Sequence, residues 1–265
     1  MTNDTFLHNQ QCKYLKAYFE WSSKDNRIYL PNEIFKELTE YSCQTFSFRH
    51  RAFAYSYYYI VCYLYRNAKY GAIEPLDKLN SLMLISILNC DRKYYNYIIK
   101  KDGVLDILGY TKSENDFPLN FIIEEGELAG FQLFSEMESY IRKSMNVPTH
   151  FVCKKPLKAF QRTPDSTYNN GTFFEFYNTH CIDFSIFTRC LSYGKQGIEY
   201  FYVYAFLLAF SEFINQKKSI YRSYILISLS MSKKKLQACL THLETMGLIQ
   251  VTSSTMFHYK IIKHF

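Results

Sequence analysis

The sequence predicts a mainly α-helical fold with small β-hairpin wings (α+β), built from two helix-turn-helix units in tandem as an internal repeat. Three observations predict it. Ile225–Ile249 reads as two short helices around a tight turn, closed by Gly-Leu-Ile and a β-ribbon. The same order of residue types stands 141 residues earlier, where Asn89 answers Ser230 and Asp91 answers Ser232. A long aromatic helix precedes each pair, at about Phe48–Tyr70 and at Gly197–Asn215.

Taken in order, residues 1–25 carry a helix over Phe6–Trp21 with Leu7, Tyr14, Leu15, Tyr18 and Phe19 to one side. Packing and homodimerisation are both open to it. Arg27–Phe35 reads as a short strand followed by a helix begun near Pro31. Within Phe48–Tyr70 the segment Tyr57–Leu64 is apolar nearly all round, which predicts a central helix. Leu76–Leu88 is the next helix. Asn89 tolerates a left-handed turn, and Asp91 is an N-cap for a helix from Arg92 to about Asp102. Leu105–Tyr110, a polar turn over Thr111–Asp116 and Leu119–Ile123 predict a first hairpin wing. Glu124–Thr172 is expected to hold a helix over Phe131–Met145 and then a basic, proline-marked linker. Its Lys154, Lys155, Lys158 and Arg162 suit phosphate and solvent equally.

Ile182–Cys190 then echoes Arg27–Phe35, and Ser223–Leu229 is the counterpart of the helix before Asn89. Ser232 caps the following helix and Gly247 ends it, leading to a second wing over Val251–Lys263. The 141-residue register also relates Leu84 to Ile225, Leu88 to Leu229, Arg92 to Lys233, Lys93 to Lys234, Asn96 to Gln237 and Ile99 to Leu240. It therefore covers the polar face of the unit as well as its apolar one.

Composition bounds the function. The 265 residues are 48% hydrophobic, ample for a core, and the formal net charge is +7. No run is long and apolar enough to predict a membrane span, and MTNDTFLHNQ lacks the basic-then-apolar order of a signal peptide, so a cytoplasmic location is expected. The eight cysteines make no C-x-x-C pair and no zinc-finger spacing, which predicts reduced, mostly buried thiols. The sequence has no G-x-x-x-x-G-K-[ST], no H-E-x-x-H, no G-x-S-x-G and no His-hydrophobic-His pair beside a tyrosine. Neither catalysis nor a cofactor or metal is expected.

Recognition remains. A helix that enters the major groove packs one face on its domain and presents donors and acceptors on the other. In the second unit Lys233, Lys234, Lys235, Gln237 and Thr241 are the candidates, and Gln237 suits adenine. The helix dipole disfavours lysines in a first turn, so the run Lys233–Lys235 asks for a nearby anion. In the first unit Arg92, Lys93, Asn96, Tyr97 and Lys100 occupy the outward face, with Arg92 suited to guanine and Asn96 to adenine. Ser253, Ser254, His258 and Lys260 stand along the second wing.

With RIYLPNEIF, ISILNCDRKYYNYIIKK and LISLSMSKKKLQACLTHLETMGLI, the chain resembles tandem winged-helix DNA-binding proteins. Among them it looks most like plasmid and phage replication initiators of low-GC Gram-positive bacteria. The resemblance implies a first winged-helix domain (26–123) and a second (173–265); beside them the residues themselves predict an N-terminal helix (1–25) and a connecting helix and linker (124–172). It implies sequence-specific binding of double-stranded DNA without catalysis, at the replication origin or an operator of a mobile element. Homodimerisation and replication or transcription proteins as partners stay open. Two alternatives stand beside it: a transcriptional regulator of the same fold, and a protein-interaction module that binds no DNA.

Overall fold

The computed structural model describes residues 27–41, 46–72, 81–124, 127–145, 147, 151–158, 178–214, 217–251 and 257–261. They form a mainly helical molecule with small antiparallel sheets. The expected helix over Phe6–Trp21, the linker after Lys158 and the tip of the second wing lie outside the described residues.

Strand β1 (Arg27–Pro31) leads into helix α1 (Glu33–Glu40), which buries Ile34, Phe35 and Leu38. Helix α2 (Phe48–Arg66) starts at a capping box, in which Ser47 Oγ accepts from the His50 N–H and His50 Nδ1 accepts from the Ser47 N–H. Every side chain from Arg51 to Tyr65 on α2 is buried, as the all-round apolar pattern predicts. Then come α3 (Lys69–Ala72), α4 (Ser81–Ile87) and α5 (Arg92–Ile99), the last capped by Asp91, whose carboxylate accepts from the Lys93 N–H at 3.2 Å.

The first wing differs from the expected one. Leu105–Tyr110 is no strand: Gly103 folds the chain back, and α6 (Val104–Ile107) follows. Helix α5 stops three residues before Asp102 because Lys100 turns extended (ψ 165°), and only a residue without Cβ lets the chain return so close, since a Cβ on Gly103 would collide with the carbonyls of Tyr97, Ile98 and Lys100. The supposed turn is strand β2 (Thr111–Glu114). Next come β3 (Pro118–Glu124), β4 (Glu127–Leu133), α7 (Ser139–Ser144) and β5 (Cys153–Pro156). β3 pairs with β4, whereas β2 pairs with the distant β5. The helix expected over Phe131–Met145 shortens to α7. Asp116 pins a 3₁₀ turn in front of it by accepting from the Ser135 N–H and hydroxyl, and Glu136 caps the Leu133 N–H. The Asp116–Ser135 contact spans 19 residues, which local periodicity does not register.

Strand β6 (Thr179–Asp183) and helix α8 (Phe184–Leu191) appear where the echo of the first strand and helix was expected. The two echoing strands pair with each other, from Arg27 opposite Asp183 to Pro31 opposite Thr179. Helix α9 (Gly197–Phe210) is shorter than the expected Gly197–Asn215, because Glu212–Ile214 leaves the helix as β7 and pairs with β8 (Lys217–Ile220). Helices α10 (Arg222–Ser228) and α11 (Lys233–Thr245) and strands β9 (Ile249–Val251) and β10 (Phe257–Ile261) complete the chain. The C-terminal sheet has the order β7-β8-β10-β9, all antiparallel.

The turns between α4 and α5 and between α10 and α11 match bond for bond. Leu88, Asn89 and Cys90 donate to the carbonyls of Leu84, Ser86 and Ile85; Leu229, Ser230 and Met231 donate to those of Ile225, Ile227 and Leu226. This is the Schellman arrangement, and both Asn89 (φ 54°) and Ser230 (φ 43°) are left-handed in it. One continuous core joins the halves. The ring of Phe35 lies between 5.2 and 5.7 Å from those of Tyr55, His180, Tyr202, Phe206 and Phe210, and Tyr63 stacks on Phe184 at 3.9 Å.

Candidate nucleic-acid interface

The second unit delivers its helix as the sequence suggests. Ser232 caps α11 by accepting from the Lys235 N–H at 3.2 Å, and Leu236, Cys239, Leu240 and Leu243 turn inward. Lys233, Lys234, Gln237 and Thr241 are exposed. Gln237 Nε2 donates to Thr241 Oγ1 at 3.4 Å, and its Oε1 accepts from Arg222 Nη1 at 3.4 Å, so α10 contributes a cation the sequence reading had not nominated. Lys235 departs from its expected role. Its ammonium is paired with Glu199, a carboxylate that is 3% exposed in the first turn of α9. The anion that a first-turn lysine asks for is thus internal for Lys235, while Lys233 and Lys234 face solvent.

On α5, Arg92 and Lys93 are exposed; Arg92 Nε lies 3.5 Å from Asn96 Oδ1 and Lys93 Nζ lies 5.7 Å from the ring centre of Tyr94. Tyr97 is not on the outward face. Its ring meets Phe46 and His50 edge-on, and its hydroxyl oxygen is buried. Tyr94, at 57% exposure, is the aromatic ring of α5 that faces out. Lys100 is exposed, and its carbonyl accepts from Lys154 Nζ at 3.2 Å. Lys154 itself is buried and held by Asp106, and Lys158 pairs with Glu37 at 2.5 Å, so these two lysines clip β5 to the body. His258 and Lys260 lie on β10 opposite Ser219 and Gln250, and Ser253 and Ser254 lie outside the described residues.

Beside the turn between α4 and α5 is an open cleft of about 660 Å³ lined by Arg49, Asn89, Arg92, Tyr94 and Tyr95 of the first half and by Lys195 of the second, among others. Arg49, from the first turn of α2, donates Nε to the Tyr95 hydroxyl and Nη2 to the Lys195 carbonyl, both at 2.8 Å, and its Nη1 is 3.8 Å from Glu199. Burial works against the Arg49 cation, but Tyr95 and Glu199 outweigh it and raise its pKa. Burial also pushes the Cys90 thiol in this cleft up to about 11, far from a thiolate nucleophile. No family model, curated protein or solved structure matches this chain.

Among the described residues no three His, Cys, Asp or Glu gather as a metal-holding group, and no helix is long and apolar enough to cross a membrane. What the arrangement presents is cationic and hydrogen-bonding: Arg92, Lys93 and Asn96 on one helix, Lys233, Lys234 and Gln237 on the other. The sequence reading missed Arg49, Lys195 and Glu199. One signal was present, since a lone carboxylate in GIEYFYVYAFLLAF must find a partner when its helix is buried.

Proposed function

We propose that the chain binds double-stranded DNA sequence-specifically and without catalysis, as an initiator or regulator acting at an origin or operator of a mobile element. The observation that carries the reading is the pair of matching turns 141 residues apart, each delivering an amphipathic helix whose first turn exposes two cations. Around the second turn the chain runs α9, β7, β8, α10, α11, β9 and β10; apart from β7, an added edge strand, this is the order of a winged helix, with β8, β10 and β9 side by side. In the first half the paired strands β2 and β5 enclose a larger insertion of β3, β4 and α7. Cations would supply affinity through phosphates, and Gln237, Asn96 and Arg92 the base preference.

The test is selection from a random duplex pool followed by footprinting of the full chain. Replacing Lys233, Lys234 and Gln237 together by Ala is expected to lower affinity for the selected site by about two orders of magnitude while leaving the circular-dichroism spectrum unchanged. Unchanged affinity in that variant removes α11 from the interface. A protein-interaction module is the second reading, favoured by exposed Tyr221 (60%) and Ile227 (75%) along α10. Salt separates the two, because duplex binding weakens steeply with ionic strength and an aromatic interface does not.

A further inference from the structure

The first turns of α5 and α11 are tied together by a relay of side chains, Tyr95–Arg49–Glu199–Lys235. A second tie runs from the first half to the other turn. Arg51 of α2 donates to the Leu229 carbonyl at 2.8 Å, and the Thr39 hydroxyl of α1, shared with the Phe35 carbonyl at 2.8 Å, lies 3.0 Å from the Ser228 carbonyl. Packing alone does not call for Glu199. Its neighbours on α9, Ile198, Tyr200 and Phe201, are buried as well, and a buried carboxylate is unfavourable unless it is paired. Glu199 is paired twice, once toward each candidate recognition helix.

We propose that Glu199 is a positioning residue that, through Arg49 and Lys235, locks α5 and α11 into one rigid reading head for a composite duplex site of fixed spacing. The inference rests on the duplex-binding reading and adds to it the class of site. A rigid link between two binding elements adds affinity only where both can engage at once. Base pairs inserted between the two parts of the site rotate one part away from its helix, and half a turn takes about five of them.

The experiment uses the full chain and the site it selects. Five base pairs are inserted between the two protected segments, and affinities for the original and lengthened duplexes are compared. Wild type is expected to lose at least about tenfold on insertion, whereas Glu199→Gln, whose helices are no longer aligned for the original duplex, is expected to bind that duplex more weakly and to lose less than about threefold on insertion. Lys235→Met is the companion variant, since it removes the ammonium from a partly exposed side chain and leaves the core closed; the same small loss is expected of it. A wild type that tolerates the insertion, a single protected segment, or variants that keep the tenfold penalty overturn the relay alone. A wild type that selects no duplex overturns the duplex-binding reading and the relay with it.

Discussion

His180 engages both ring nitrogens inside the core. Its Nδ1 is 2.8 Å from Asn32 Oδ1 and its Nε2 is 2.6 Å from the Tyr55 hydroxyl. With Nδ1–H donating to Asn32, Nε2 accepts from Tyr55, and the ring is neutral. Burial pushes its pKa down to about 3. The unfolded chain takes up this proton near pH 6.5 and the folded chain does not, so stability is full above that pH and declines below it. The slope contributed is about 1.4 kcal/mol per pH unit between 6.5 and 3. Urea midpoints at pH 7.5, 6.0 and 5.0 check this: the advantage of wild type over His180→Gln should shrink as pH falls. Lys235 teaches a related lesson. A first-turn lysine looks like a phosphate ligand in sequence, yet its nearest carboxylate is 36 residues away along the chain, on α9.

The helix pairs were legible because their determinants are local. Asn89 and Ser230 were assigned to the turns, and both take the left-handed conformation; Asp91 and Ser232 were assigned as caps, and both accept from the helix backbone. Opposite signs are therefore expected within one turn. Ser232→Ala should destabilise by about 1 kcal/mol through the lost cap. Ser230→Gly should stabilise by up to about 1 kcal/mol, because glycine relieves the left-handed strain at some cost in chain entropy. Thermal denaturation of the two variants checks both. The first wing failed for the converse reason. Thr111–Glu114 is short and polar, and it is a strand because Cys153–Pro156 lies beside it and because Asp106 accepts from both the Thr111 hydroxyl and Lys154 Nζ. Similarly, Phe213 and Ile214 continue the apolar run of α9, but β8 takes them into a sheet.

At the scale of the whole molecule the two halves interlock. β1 pairs with β6, Phe35 of the first half sits among Tyr202, Phe206 and Phe210 of the second, and Arg51 of the first half holds a carbonyl in the turn of the second. Unfolding in denaturant is expected to be a single transition, and Phe35→Ala should lower its midpoint by the equivalent of about 3–5 kcal/mol without splitting it. Two resolved transitions would show that the halves unfold separately. By itself the sequence determined the helical class, the central aromatic helices, both turns with their caps, and the outward cations Arg92, Lys93, Lys233 and Lys234. All of these follow from periodicity and from hydrogen bonds spanning a few residues. Only the tertiary structure decided that Tyr97 turns inward, that Lys235 is spent on Glu199, that β2 finds β5, and that Arg49 joins Tyr95 of α5 to Glu199. Those outcomes depend on which distant groups come within a few ångströms of each other, and local periodicity carries no such distances.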